Sequence, residues 1–447
     1  MKFWRIFLTV LLLFPVMAWS QPENKVLTLD DCIKIALTNN FDLNLAKVNN
    51  KISHKTYLQS YSDILPTVNF SYDQNKYERG PTSYIGSDYI GENPALPFTY
   101  QVTTGRNYSA DVQVRQNIFD GGRWYLNIKK SQLDKQSSDY SYLSAKQTAI
   151  VTIRQLYLDL LKQEKLLEVD SQAVERSKEQ LDRVRSMYEV GSVAQIDVYR
   201  SEVNLGNDQI TYLNQQNIEK EARRSLNIAM GNQPDAPLQI DANIKFEKEV
   251  GELDQMVQEA LNNNPQLKAQ QFSAYSAKYG VRVAQSAFLP NLSGYFYYTR
   301  RVPKFKGLYN QLDREYSWYI GLSLSWNLFN GMSDYLGVQK AVLNRRYSNE
   351  QYQYSRLNLK SKVTTLYNNL NALNKIISIN QTNLESAKED YRLAQERYRL
   401  GSGTLLDLRD AQVKLATAEQ ILVTAEFNSY ITFAELQQTL GALTDKY

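Results

Sequence analysis

The chain has 447 residues, 43% of them hydrophobic and 22% charged, which excludes an intrinsically disordered chain. A formal charge of +4, with no basic stripe interleaved with aromatics in the helical stretches, makes no case for nucleic acid. The single Cys (Cys32) excludes an intramolecular disulfide or a cysteine zinc cluster, and the single His (His54), expected at the surface, removes most triad and histidine-metal chemistry, so no cofactor is expected.

Residues 1–20 read as a signal peptide. Lys2 and Arg5 precede the apolar run Phe7 to Val16, and Ala18-Trp19-Ser20 offers a cleavage site before Gln21. The run is too short to span a bilayer as a helix, and no later stretch is a transmembrane helix candidate. Thr28-Leu29-Asp30-Asp31 resembles a capping box and opens a helical pattern that fades before Leu65-Pro66. Alternation then predicts strands at about 66–78 and 108–119, with a polar loop over 73–106. In the first strand Val68, Phe70 and Tyr72 share a face; in the second, Ala110, Val112 and Val114 do. This is the pattern of a barrel wall, although an ordinary half-buried sheet alternates in the same way.

From about Trp124 to Tyr188 the pattern is helical, without proline or glycine, for a length on the order of 100 Å. Gly191 marks a sharp reversal into a second helix, from about Ala194 to Met230. The pattern then recurs. Ala260-Leu261-Asn262-Asn263-Asn264 repeats Ala36-Leu37-Thr38-Asn39-Asn40 at a spacing of 224, and Leu289-Pro290 repeats Leu65-Pro66. Strands are expected at about 290–300 and 318–329. Asn327-Leu328-Phe329-Asn330-Gly331 repeats Asn117 to Gly121 at a spacing of 210, which also relates Gly191 to Gly401 and Gly231 to Gly441. Such register indicates internal duplication: a first repeat over 21–231 with its tip at 188–197, a linker at 232–252, a second repeat over 253–441 with its tip at 398–410, and a tail at 442–447.

At the second tip, Ser402 and Thr404 are expected to cap the returning helix. Asp407 and Asp410 lie three residues apart on it. As acids in a first turn they also suit the helix dipole.

Four strands cannot close a membrane barrel, so their apolar faces call for oligomers; three chains would share twelve strands. Tyr and Trp clustered in or beside the strands, Tyr84, Tyr89, Tyr100, Tyr298 and Trp318 among them, suit a membrane interface.

The two Leu-Pro strand starts, the Ala-Leu-x-Asn-Asn pair, the Asn-x-Phe-[Asp/Asn]-Gly turns and the two Tyr-x-x-Gly-Ser…Asp tips resemble the outer-membrane efflux protein family, the TolC-like channel subunits, over nearly the whole mature chain. The resemblance implies a mainly α fold: long helical hairpins in a trimeric tunnel, capped by a shared twelve-stranded barrel. It implies no enzyme, but a bacterial outer-membrane export channel with a long periplasmic portion. Its partners would be a periplasmic adaptor, an inner-membrane transporter and outer-membrane lipid, with no nucleic acid. It places the gate at Asp407 and Asp410, where rings of carboxylates would attract cations and tolerate raised pKa values through crowding. It places adaptor docking at Val190, Gly191, Ser192, Leu400, Gly401 and Ser402. The family can carry a basic lock at the Gly403 position, which this sequence lacks, leaving Tyr398, Asp197, or Arg399 and Arg409 to hold the closed tip. Arg300, Arg301, Lys304 and Lys306 form a basic cluster that reads as a solvated loop or a contact with anionic lipid. The competing readings are a non-conducting periplasmic coiled-coil scaffold or adhesin, and a hydrolase using paired carboxylates.

Overall fold

A computed structural model describes residues 26–84, 98–100, 103–243 and 251–443. The expected signal peptide, Tyr89, part of the linker and the end of the tail lie outside the described residues. The chain groups into two compact units, each drawn from both sequence halves. One holds Met1–Ala46, Leu143–Asn264 and Asn358–Tyr447; the other holds Lys47–Tyr142 and Pro265–Leu357.

The elements of the first half recur in the second. Helices α1 (Leu29–Asn39), α2 (Phe41–Gln59), α3 (Arg123–Glu189) and α4 (Gln195–Ala229) have counterparts α5 (Leu253–Asn263), α6 (Pro265–Gln285), α7 (Ser333–Arg399) and α8 (Leu405–Leu440). Both α3 and α7 are 67 residues long.

In the first unit, Thr28 caps α1: its hydroxyl accepts from the Asp31 amide at 3.2 Å, and the Asp31 carboxylate accepts from the Thr28 amide at 3.3 Å. Strand β1 (Val26–Leu27) pairs in parallel with a short strand at Gln239–Ile240. The Tyr157 hydroxyl, 2.8 Å from the Asp241 carbonyl and 3.1 Å from that of Leu27, holds this crossing. One core packs Cys32, Ile33 and Ala36 of α1 against Ile153, Tyr157 and Leu160 of α3, with Leu226 and Met230 closing it. Another packs Met256 and Ala260 of α5 against Val363 and Leu370 of α7, closed by Leu436 and Leu440 of α8. Ile153/Val363, Leu160/Leu370, Leu226/Leu436 and Met230/Leu440 are related by the same 210-residue spacing as the glycines, so the duplication extends to the buried side chains.

The repeated Asn motif now has a physical cause. The Asn40 side-chain amide donates to the Ala229 carbonyl at 2.8 Å, and that of Asn264 to the Thr439 carbonyl at 3.0 Å. Each Asn satisfies an otherwise unpaired carbonyl at the end of a long helix. Gly231 (φ 81°) and Gly441 (φ 82°) sit just beyond those ends. A Cβ there would lie 2.6 Å from the Asn39 oxygen and 2.7 Å from the Asn263 oxygen, so only glycine fits.

In the second unit, four antiparallel strands run in the order β2 (Thr67–Arg79), β5 (Thr103–Phe119), β7 (Asn291–Val302), β8 (Tyr316–Ser325). A separate short pair, β3 (Thr82–Tyr84) and β4 (Phe98–Tyr100), follows β2; the two-residue strand at Gln239–Ile240 is β6. Two sequence expectations are corrected. The stretch 73–106 is not one loop: β2 continues to Arg79, because backbone pairing of Asp73 with Ser109 through Arg79 with Thr103 holds polar residues in strand form. The last strand stops at Ser325 rather than 329, where the Trp326 indole donates to the Phe288 carbonyl and the chain turns through Gly331 and Met332 at positive φ.

The sheet has two unlike faces. Cross-strand rows Phe70–Val112–Tyr298–Trp318 and Val68–Val114–Phe296–Ile320 make one face apolar. The opposite face carries rows Asn69–Gln113–Tyr297–Tyr319 and Ser71–Asp111–Thr299–Ser317. On the apolar face Phe70, Ile320 and Leu322 are about 70% exposed within the single chain. Near the end of β7, Arg300 is buried and donates to the carbonyls of Gly307, Asn310 and Gln311. It is a clasp for the turn, not a solvated cation, whereas Arg301, Lys304 and Lys306 are exposed.

Candidate functional site

The tips of the helical hairpins, all within the first unit, hold the candidate residues. At the first tip Gly191 (φ 76°) lets the Ser192 amide return to the Met187 carbonyl at 2.9 Å. At the second, Gly401 (φ 73°) lets the Ser402 amide return to the Arg397 carbonyl at 2.9 Å. Ser402 does not cap the returning helix as expected: its hydroxyl also donates backward, to the Arg397 carbonyl, and so closes α7. Thr404 alone is the N-cap of α8. Val190, Leu400 and Leu406 are each at least 70% exposed, so both tips present apolar side chains to the surroundings.

Asp407 is fully exposed and committed to its own helix. Its carboxylate accepts from the Thr404 amide at 3.0 Å and from the Thr404 hydroxyl at 2.9 Å. These hydrogen bonds hold its pKa below the usual carboxylate range, the opposite direction to crowding. Asp410, one turn on, pairs with Lys414 at 2.6 Å. Asp197 holds the corresponding place in α4, where Ala194 supplies no side-chain cap; it lies 3.6 Å from Arg200.

Tyr398 is buried, and its hydroxyl has no well-formed hydrogen bond. Burial raises its pKa and the Asp197 carboxylate adds to the rise, while Arg183 and Gln180 act against it. The fold therefore gathers Tyr398, Gln180 and Asp197 from α7, α3 and α4.

Of the other candidate locks, Arg399 pairs with Glu396 on its own helix at 3.0 Å. Arg409 forks onto Asp208 of α4 at 2.7 and 2.8 Å and also donates to Ser177 of α3. This three-helix tie was not anticipated as a site; its partners are 201 residues apart and no motif marks Asp208. Beside it, a groove of about 540 Å³ opens between α4 and the start of α8, lined by Ile196, Tyr199, Val203, Leu405, Leu406 and Arg409.

These features define a class: a protein that joins a two-faced antiparallel sheet, apolar on one exposed side, to paired long helices ending in glycine reversals. Among the described residues no helix is long and apolar enough to cross a membrane. The chain matches the outer membrane efflux protein family over residues 32–232 and 256–442, and it belongs to that family. It is 25% identical over 382 residues to the outer membrane protein TolC of Escherichia coli, covering 82% of this chain and 75% of TolC. It is 22% identical over 428 residues to the probable efflux pump outer membrane protein TtgC of Pseudomonas putida, covering 92% and 82%. Among solved structures, the CmeC outer membrane channel of Campylobacter jejuni shares the fold with a TM-score of 0.80 at 19% identity, covering 95% of this chain and 90% of that one. The outer membrane protein VceC of Vibrio cholerae gives 0.76 at 16% identity, covering 92% and 96%. The family comprises outer-membrane efflux channels rather than enzymes and sets this chain in the bacterial outer membrane.

Proposed function

We propose that the chain is one subunit of a homotrimeric export channel working with a periplasmic adaptor and an inner-membrane transporter in an efflux or type I secretion system. The observation that carries this is the sheet: four strands, one apolar face exposed, and edges β2 and β8 paired to no other described strand. Unpaired edges are costly in lipid and an exposed apolar face is costly in water; closure with copies of the same sheet pairs the edges, and lipid covers the apolar face. Three chains supply twelve strands, within the range of membrane barrels. The face with Trp318, Ile320 and Leu322 then meets lipid and the face with Asp111 and Tyr319 lines the duct.

On this reading the tips form the gate. Asp407 and Asp410 become rings of carboxylates at the constriction, and Tyr398 with Asp197 holds neighbouring helices in place until an iris-like opening parts them. The exposed Val190–Gly191–Ser192 and Leu400–Gly401–Ser402 surfaces meet the adaptor. The repeats at 21–231 and 253–441 descend from a duplicated half, and cleavage after Ser20 exposes Gln21.

The test is single-channel conductance of the purified chain in a planar bilayer, wild type against Asp407→Ala/Asp410→Ala. Wild type is expected to conduct weakly with cation preference, and the double variant to lose that preference or conduct more. Unchanged conductance would move the gate to Tyr398 or Asp197. A well-folded chain that neither inserts nor conducts would establish the non-conducting scaffold or adhesin instead.

A further inference from the structure

Charge is divided unequally between the two units. The strand-bearing unit has 23 Lys and Arg against 13 Asp and Glu, whereas the other has 28 against 34. Within the strand-bearing unit the excess is concentrated on helices. The span Pro265–Gln285, all of α6, carries Lys268, Lys278 and Arg282 and no acid.

A groove of about 540 Å³ lies between α6 and the first part of α7. Lys278 comes from α6, and Arg345 and Arg346 from α7. Tyr275 and Tyr352 wall it, together with Val342. No carboxylate lines it. The two helices are tied alongside by the Gln270 amide donating to the Gln351 oxygen at 3.1 Å. None of the three cations makes an ion pair or a hydrogen bond among the described residues; the ion pairs of this unit lie at His54–Asp139, Lys130–Asp134, Lys135–Asp139 and Arg314–Asp313. A further cation, Arg356, stands 6.0 Å from the Tyr352 ring centre.

Three unpaired cations in one concave site repel one another, and an anion entering it relieves that repulsion. Tyrosine rings and the methylene stems of Lys and Arg supply apolar walls beside the charge. The volume suits one small molecule. We propose that this α6–α7 groove binds an amphipathic anionic solute: a sulfonate, carboxylate or phosphate group carried on an aromatic body. The charged group sits among Lys278, Arg345 and Arg346, and the body lies against Tyr275 and Tyr352. Naming this chemistry as the cargo class rests on the export reading; the binding itself does not.

The test is equilibrium dialysis of the full chain in an uncharged detergent, with 2-naphthalenesulfonate as probe and a naphthyl trimethylammonium ion as its cationic counterpart. The wild type is expected to bind the sulfonate and not the cation. Lys278→Gln/Arg345→Gln/Arg346→Gln should weaken sulfonate binding at least tenfold, while Lys360→Gln/Lys362→Gln/Lys375→Gln, which removes equal charge elsewhere on α7, should not. Arg345→Gln and Arg346→Gln singly serve where the triple variant fails to fold, with a smaller weakening expected from each. Absence of sulfonate binding, as when a second copy covers the groove, overturns the proposal, as does binding that survives the groove substitutions. Competitive displacement by phosphatidylglycerol but not phosphatidylcholine, in lipid nanodiscs, would assign the groove to lipid headgroups and also overturn it. Retained binding in a chain that does not conduct would sink the export reading alone.

Discussion

At the residue scale, the carboxylates at the second tip divide by partner rather than by position. Asp407 is bound to the backbone and hydroxyl of Thr404 and is therefore part of the helix cap. Its folded pKa lies below its unfolded value, which is about 3.9. A depressed carboxyl contributes stability that is complete above the unfolded value and is lost as pH falls through the folded one. The start of α8 is thus expected to loosen below about pH 4, read as faster amide exchange at residues 405–410 after correction for intrinsic rates. Asp407→Asn should flatten that pH dependence; an unchanged profile would remove Asp407 from the cap. Thr404→Ala should cost about 1 kcal/mol, measured by denaturation. Arg409 and Asp208 are mostly buried, with side chains 21% and 14% exposed. Arg409→Met strands the Asp208 carboxylate and should cost about 2 to 3 kcal/mol. The double variant with Asp208→Asn should cost less than the two single losses combined, since neither charge is then left alone.

At the scale of elements, the repeated features act as stops. Each long helix pair ends against the end of the preceding short helix: Asn39 meets Gly231 while Asn40 binds the Ala229 carbonyl, and Asn263 meets Gly441 while Asn264 binds that of Thr439. Asn40→Ala or Asn264→Ala leaves one carbonyl without that donor and should cost about 1 kcal/mol. Gly231→Ala and Gly441→Ala should each cost more, about 2 kcal/mol or above. The new Cβ meets a backbone oxygen that cannot move aside, at a φ that L side chains resist. Equal losses at Asn40 and Asn264, and at Gly231 and Gly441, by urea denaturation, would show that the two halves bear load alike. The Ala-Leu-x-Asn-Asn motif was visible in the sequence as a repeat. Its purpose was not, because Ala229 and Thr439 are 189 and 175 residues from the amides that reach them.

At the scale of the whole molecule, the sheet faces make opposite demands. Leu322 belongs to the apolar face of β8 and is 69% exposed in the single chain, while its neighbour Ser323 points to the other side. In a closed barrel Leu322→Arg should destabilise the membrane-inserted form by about 2 to 4 kcal/mol, and Ser323→Arg should be tolerated. Recovery of inserted, trypsin-resistant protein from membranes distinguishes the two. Equal tolerance would mean that the apolar face does not meet lipid.

Periodicity and glycine placement alone determined the helical hairpins, because a 3.6-residue pattern and a positive-φ stop are local properties. Duplication was legible for the same reason: the 210-residue register keeps Ile153 with Val363 and Leu160 with Leu370. The sequence also marked Asp407 by its place after Thr404, a pattern of neighbours. The tertiary structure decided what depends on distant partners. It extended β2 through polar residues such as Asp73 and Lys76, since backbone pairing with β5 needs no apolar alternation. It turned Arg300 inward to clasp its loop, and it joined Arg409 to Asp208 across the bundle. It also set Lys278 beside Arg345 and Arg346, which lie 67 and 68 residues further along the chain. Local geometry is written in neighbouring residues; convergence of charge is a matter of which helices pack side by side, and that is settled only when the chain folds.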